Sequence, residues 1–377
     1  MEYRPFGRLG FRASALGFGC MRLPTLGKPE DVDAPAAIEM IRHAIDLGVN
    51  YIDTAYPYHG GHSERVVALA LEGGRREQVA LATKMPTWLV NQPEDFDRLF
   101  NEQIERLRTP RIDFYLLHNL QAGSWQKMRD LGAIAWLEKT RAAGRIGEIG
   151  FSFHDTFDVF KDILDAYNGW TFCQIQYNFV NEDVQAGTAG LRYAAAKGVA
   201  VVVMEPLQGG VLAQPPESVG RLWQEAGGDP VDVALRWLWN KPEVSVVLSG
   251  MSHLEQVRQN VRSACASGVG TMTPAELDLV ARVAAAYKSL NPVPCTKCGY
   301  CLPCPHGVAI PENFELYNNA LTFGGTARQL YRTLYSMMPP DRRADACRAC
   351  AECEPRCPQH IKVSQWMPQL HQEMTDK

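Results

Sequence analysis

Four side chains suited to moving a proton stand at or just beyond the ends of apolar runs: Asp53, Tyr58 five residues later, Lys84 and His118. A tyrosine hydroxyl ordinarily titrates near ~10, and a cation beside it makes it a usable proton donor or acceptor. Lys84 is the candidate cation, and Asp53 is the carboxylate that would keep it charged and oriented. His118 could hydrogen-bond a carbonyl oxygen or relay a proton. Each residue alone has a plainer reading: His118 as a satisfied core histidine, Lys84 as a strand-end lysine reaching water. Only the set points to chemistry.

A second group of reactive side chains lies near the C-terminus, where eight of the eleven cysteines fall beyond residue 294. Cys295, Cys298, Cys301 and Cys304 are each separated by two residues and followed by Pro305. Cys347, Cys350, Cys353 and Cys357 form C-x2-C-x2-C-x3-C followed by Pro358. Thiolates at these intervals wrap a cubane iron–sulfur cluster, because three ligands fit one tight loop while the last reaches away. Zinc is the alternative, since C-x2-C pairs also bind it tetrahedrally. The first run ends on a two-residue spacing with Pro303 before Cys304, so one [4Fe-4S] cluster stands as an alternative to the favoured two. Cys20, Cys173 and Cys265 read as ordinary thiols.

The chain has 377 residues, 46% of them apolar, and a formal net charge of -4. That length predicts one large domain and a smaller one. The charge gives no reason to expect a nucleic-acid or anionic-membrane partner. The start, Met1 to Pro5, lacks the apolar stretch of a signal peptide, and no run approaches the ~20 apolar residues of a membrane span. Clustered cysteines in a long chain without a secretory signal predict metal in a reducing compartment, hence a cytoplasmic protein.

The elements that must position these groups are short apolar runs alternating with helix-like segments. Strands are expected at 49–53, 79–84, 112–118, 146–152, 172–177, 199–204 and 244–248, with a short eighth at 15–18. Helices are expected at 36–47, on the face marked by Ile38, Ile41 and Ile45, and at 254–261, with a Ser252/Glu255 capping box. Eight alternations in about 270 residues fit an α/β fold of the closed (β/α)8 TIM-barrel type better than an open sheet. No G-x-G-x-x-G follows the first strand, which removes the usual dinucleotide fingerprint of open sheets. In a barrel the strand ends share one mouth, which would gather Asp53, Lys84 and His118. The barrel is expected over 1–270, a bridging helix over 271–290, opened by a Thr273–Glu276 capping box, and a cluster domain over 291–377.

The segments DTAYPYHGG, ATK ending at Lys84 and LLH ending at His118 resemble the aldo-keto reductase superfamily. The family's spacing selects Tyr58 over Tyr56 as the catalytic tyrosine. The resemblance implies a NAD(P)H-dependent oxidoreductase that transfers hydride between cofactor and carbonyl carbon, with Asp53, Tyr58, Lys84 and His118 catalytic. It also implies cofactor contacts from Gly19, Cys20, Met21 and Arg22 in the first loop, from Asp53, and from Ser152 and Gln174 at the nicotinamide carboxamide. The Asn common after the serine is Phe153 here, which removes one polar contact to that carboxamide.

By the same resemblance Met204, Glu205, Pro206, Leu207, Gly209 and Gly210 wrap the pyrophosphate, with Met204 where an aromatic ring is often stacked. Gly250, Met251, Ser252, Gln256 and Asn260 follow the eighth strand, Asn260 meeting the adenine. Basic residues that would hold an extra phosphate reduce to Arg258, so the reading leans towards NADH over NADPH.

The cysteine runs resemble bacterial two-cluster ferredoxins, which implies crossed ligation: Cys295, Cys298 and Cys301 with Cys357, and Cys347, Cys350 and Cys353 with Cys304. The whole chain resembles aldo-keto reductases that carry a C-terminal ferredoxin-type 4Fe-4S domain. The expected partner is a small carbonyl or alcohol substrate, its identity open. The clusters could be structural, sense redox state, or exchange electrons with a redox partner protein. The alternative function is an iron–sulfur electron-transfer subunit whose barrel binds a cofactor or a partner.

Overall fold

The computed structural model of the chain describes residues 1–295, 299–323, 325–357 and 359–376. An N-terminal antiparallel hairpin, β1 (Tyr3–Pro5) and β2 (Arg12–Ser14), precedes eight strands. These are β3 (Leu16–Gly19), β4 (Tyr51–Asp53), β5 (Ala80–Met85), β6 (Ile112–Leu120), β7 (Ile146–Phe153), β8 (Phe172–Gln176), β9 (Ala200–Met204) and β10 (Val244–Gly250). They run parallel and close in chain order, with β10 pairing both β9 and β3. The expected (β/α)8 barrel therefore forms, and the short run at 15–18 supplies its first strand. Strands buried on both faces need continuous apolar sequence, as in Ala200–Met204, AVVVM.

One end of the barrel is plugged by an aromatic cluster. Phe6, from the hairpin, sits with its ring centroid 5.8 Å from Tyr51, 4.8 Å from Phe114 and 5.7 Å from Phe172. Space for these rings comes from small neighbours: a Cβ on Gly150 would lie 2.5 Å from the Phe172 ring. The Arg4 guanidinium anchors the hairpin by donating to the carbonyls of Val244, Trp239 and Lys241 at 2.6, 2.8 and 2.6 Å. A buried arginine is tolerated at such a corner because its charge is fully hydrogen-bonded there.

The helix Ala34–Asp46 starts at Asp33, whose carboxylate accepts from the Ala36 amide at 3.1 Å. Its buried face is Ala37, Met40, Ile41, Ala44 and Ile45; of the expected isoleucines Ile38 is only half-buried, at the edge of that face. The helix Leu254–Cys265 is capped differently from expectation: the box is His253 with Gln256, not Ser252 with Glu255. Gln256 reaches back to the Ser252 amide at 2.8 Å, and Glu255 instead pairs with Arg262 at 2.8 Å.

The chain divides into two compact units, Met1–Gly209 with Gly228–Asp278, and Gly210–Gly227 with Leu279–Lys377. The helix Pro274–Ser289 crosses that division, and its Thr273–Glu276 capping box forms as expected. The second unit has its own core, in which Phe314, Tyr317, Tyr335, Met367 and Leu370 pack with six of the C-terminal cysteines against them. Among the described residues no helix is long and apolar enough to cross a membrane.

Phe6→Ala opens a cavity in the aromatic plug without touching the opposite, functional mouth. It should destabilise the barrel by about 3–5 kcal/mol, as buried Phe→Ala changes do. Equilibrium urea unfolding followed by tryptophan fluorescence checks this.

Candidate active site

Asp53 closes β4 and Lys84 lies one residue before the end of β5; the two residues are 3% and 1% exposed. Strand pairing sets Asp53 beside Ala82 and Gly19, at the mouth where all strands end. The Lys84 ammonium donates to Asp53 Oδ1 at 2.6 Å and to the Thr54 carbonyl at 2.8 Å, and reaches the Tyr58 hydroxyl at 3.4 Å. It also lies 5.0 Å from the centre of the Tyr58 ring. His118, on β6, meets Tyr58 edge-on with ring centroids 6.0 Å apart. The four residues expected to act together are brought together. Tyr56 is not among them: its hydroxyl donates to Glu102 at 2.6 Å under the Arg106 guanidinium.

The electrostatics follow from burial. Burial alone would push the Lys84 ammonium down, but Asp53 and then Tyr58 outweigh it and hold it above the ordinary lysine value. Burial also pushes the Tyr58 hydroxyl up, and Lys84 only partly offsets this. The expected cation therefore stands beside Tyr58 and acts in the expected direction, while burial keeps the hydroxyl protonated in the protein alone. His118 is pushed well below its usual value, first by burial and then by Lys84 and His154, so its ring is neutral near pH 7. Its Nδ1 is buried without a partner.

A buried polar network under β5 holds the lysine strand. Glu64, fully buried on the helix His62–Ala70, accepts from Thr83 at 2.7 Å and from Gln103 at 2.8 Å, and pairs with Arg106 at 3.3 Å. Gln103 also donates to the Lys84 carbonyl at 3.0 Å. The residue after Tyr58, His59, takes a left-handed φ of 53°. Its Nε2 accepts from the Leu23 amide at 3.2 Å while Nδ1 contacts the Pro29 carbonyl at 2.6 Å, which pins the tyrosine loop to the loop after β3. Neither Glu64 nor His59 stands out in the sequence, because their partners lie far away along the chain.

The candidate cofactor residues divide by availability. Ser152 is buried on β7, and its hydroxyl oxygen accepts from the Asn119 amide at 2.8 Å. Gln174 donates to Asp53 Oδ2 at 3.4 Å, leaving its buried Oε1 without a partner. Gly19 ends β3, followed by a short turn of Cys20, buried, with Met21 and Arg22, both exposed. The Arg22 side chain lies against Gly250, where an added Cβ would meet it at 3.2 Å. The atoms in contact are the aliphatic stem of Arg22, and its charge acts on Glu205, partly offsetting the burial that raises that carboxyl. After Met204 the backbone turns through left-handed Glu205 and Gln208, with Pro206, Leu207 and Gly209 between and after them; Gly210 begins the segment belonging to the second unit.

Gln208, within the loop expected to wrap the pyrophosphate, is 2% exposed with both side-chain amide atoms unpartnered. Met251 is fully buried, Gln256 Oε1 is taken up by the Ser252 amide at the helix start, and Asn260 donates to Ser249 at 2.9 Å. Arg258 is already paired with Glu255 at 3.6 Å.

In the second unit Cys295, Cys301 and Cys357 line one cleft with Gly299 and Ile310, partly open to solvent. Cys353 is pushed up to about 11, chiefly by burial, with Cys304 and Cys347 close enough to add to the shift. Cys350 is exposed. Cys298 and Pro358 lie outside the described residues.

A histidine held below its ordinary value stabilises the fold above about pH 6.5, and that contribution is lost as pH falls towards the folded value. His154, lowered to about 4 by burial, carries the same sign as His118. The wild-type urea midpoint should fall between about pH 7.5 and about pH 5.5, and a His118→Phe/His154→Phe variant should lose measurably less over that range.

Comparison with known proteins agrees with this geometry. The family model described as the aldo/keto reductase family matches residues 15–267, and a 4Fe-4S dicluster domain matches 294–361. The chain is 29% identical to the L-galactose dehydrogenase of Arabidopsis thaliana over 293 residues, covering 69% of this chain and 87% of that protein. It is 26% identical to the aflatoxin B1 aldehyde reductase member 2 of Rattus norvegicus over 310 residues, covering 68% and 82% respectively. The holo form of an aldo-keto reductase from Bacillus halodurans superposes with a TM-score of 0.64 at 25% identity, over 75% of this chain and 96% of that one. With the barrel closed and the tyrosine, lysine, aspartate and histidine gathered at its mouth, the chain belongs to the aldo/keto reductase family, as an NAD(P)-dependent oxidoreductase extended by a 4Fe-4S dicluster domain.

Proposed function

We propose that the protein reduces a small aldehyde or ketone, or oxidises the corresponding alcohol, with Tyr58 as the general acid or base. The observation that carries this is the buried Lys84 ammonium set 2.6 Å from Asp53 and 3.4 Å from the Tyr58 hydroxyl. Bound NAD(P)H would supply the hydride. The unpartnered Gln174 Oε1 and the Ser152 hydroxyl fit its carboxamide, and the exposed loop residues Met21 and Arg22 and the Glu205–Gly209 turn would hold the rest.

The chain's own residues then account for the proton. Tyr58, held protonated by its surroundings, donates its O–H proton to the substrate oxygen. Lys84 stabilises the phenolate left behind, and Asp53 keeps the ammonium in place and charged. Neutral His118 offers a ring N–H to the same oxygen without adding a second positive charge beside Lys84. Trp88, 46% exposed and 5.1 Å from the His118 ring, is an aromatic wall for the substrate. The names of two relatives, a galactose dehydrogenase and an aldehyde reductase, support carbonyl or alcohol chemistry as the class.

For the C-terminal unit we propose two [4Fe-4S] clusters, one on Cys295, Cys298, Cys301 and Cys357, the other on Cys347, Cys350, Cys353 and Cys304. The shared cleft of Cys295, Cys301 and Cys357, and the proximity of Cys353 to Cys304 and Cys347, support that crossed arrangement. A hydride carries two electrons and each cluster passes one. A second reading, an electron-transfer subunit serving a redox partner protein, is favoured by the dicluster domain alone.

Tyr58→Phe removes the proton donor, together with the 3.4 Å contact that its hydroxyl accepts from Lys84. With an aldehyde panel and either dinucleotide, kcat should fall about 10²–10⁴-fold while dinucleotide affinity holds; turnover at the wild-type rate would favour the second reading. Anaerobically purified protein should contain about eight irons and eight sulfides, as two cubane clusters require. Cys357→Ser should lower both contents towards half, and zinc without sulfide would sink the cluster assignment.

A further inference from the structure

The β6 strand is irregular where it passes β7. Leu117 pairs with Phe151, but the next pairing is Leu120 with Phe153, so His118 and Asn119 form a bulge opposite Ser152. A bulge re-aims side chains and is favoured beside active sites. Asn119 takes a left-handed φ of 58°, a conformation asparagine tolerates better than most residues. Its backbone amide donates to Ser152 Oγ at 2.8 Å, and Ser152 in turn pairs with Gln174 on β8. Asn119, Ser152 and Gln174 therefore lie side by side on three neighbouring strands at the same level of the barrel mouth.

Their hydrogen-bonding capacity is incomplete in a specific way. Asn119 Oδ1 and Gln174 Oε1 are both buried acceptors without partners. The Gln174 amide is oriented by Asp53, because its NH2 must face the carboxylate. Ser152 Oγ is already an acceptor, which leaves its O–H as a donor. The row thus presents two vacant acceptors and one donor. A primary carboxamide presents two N–H donors and one carbonyl acceptor, the complement of that row. A buried acceptor without a hydrogen bond costs the full desolvation of the group, so two such atoms together call for a ligand.

We propose that Asn119 is a nicotinamide carboxamide ligand, taking one amide N–H while Gln174 takes the other and Ser152 donates to the carbonyl. This rests on the NAD(P)H reading above. It resolves the departure at Phe153, since the bulged residue of β6 supplies the polar group that an apolar Phe153 on β7 does not offer. It also gives the bulge a purpose: His118 and Asn119 are consecutive, so one distortion sets the substrate-side ring and the cofactor-side amide.

The test measures binding rather than turnover. Asn119→Gly keeps the left-handed backbone accessible while deleting the side chain. Dissociation constants are measured by calorimetry, on the cluster-containing protein, for the tighter-binding oxidised dinucleotide and for its acetylpyridine analogue, in which the carboxamide NH2 is replaced by methyl. The variant should weaken the natural dinucleotide about tenfold, the worth of one such hydrogen bond. It should leave the analogue, which has no N–H to give, within about twofold. Equal losses on both ligands, or no loss on either, would overturn the role of Asn119. Failure of the wild-type protein to bind either dinucleotide would overturn the cofactor reading instead, and unchanged analogue binding in the variant shows that its barrel is folded.

Discussion

The buried contact between the Lys84 ammonium and Asp53 Oδ1, 2.6 Å long and almost without solvent, constrains everything around it. Neither charge tolerates that depth alone, and removing one partner of such a pair typically costs about 3–5 kcal/mol. The strands β4 and β5 must therefore be in register at their ends, and Thr54 must turn its carbonyl inward to accept a second ammonium proton. The third ammonium direction is left for Tyr58. Because the pair contributes little net stability against an apolar replacement, its presence is explained by what it does to the tyrosine rather than by folding.

The rest of the barrel reads as support for that constraint. Below β5, the Glu64–Gln103–Thr83 network holds the Lys84 backbone, and Tyr115 donates to Gln103 Oε1 at 2.6 Å to complete it. Above it, His59 ties the tyrosine loop to Leu23 and Pro29. At the far end, Phe6 and its aromatic neighbours close the barrel by apolar packing, so stability and chemistry are separated to opposite ends. The neutral state of His118 follows from its burial and from the same lysine: a second cation in that space would be repelled.

The second unit follows a different principle. Its apolar core is small, and six cysteines pack against it, so any cluster these thiols held would be continuous with that core. Metal bound there would add folding energy through its ligands. Cys357 is far along the chain from Cys295 and Cys301, yet it shares a cleft with them, so the intervening helices Ile310–Phe323 and Gly325–Met337 are what bring these thiols together.

Features that depend on local pattern were legible in the residues alone. Eight apolar runs specified eight strands, because a parallel barrel buries both strand faces and leaves no alternation to confuse the reading. Asp53, Lys84 and His118 stood out because they sit at or within two residues of the ends of those runs, and strand ends of a barrel share one mouth. The cysteine spacing was readable because it is local geometry. Other features needed the folded chain, since they depend on distant partners: the capping of Leu254–Cys265 by His253 and Gln256, the burial that holds Tyr58 protonated against the pull of Lys84, the Arg22 side chain laid over Gly250, and the bulge that sets Asn119 beside Ser152 and Gln174. Register, desolvation and unmet hydrogen bonds are properties of how segments meet, and no single segment carries them.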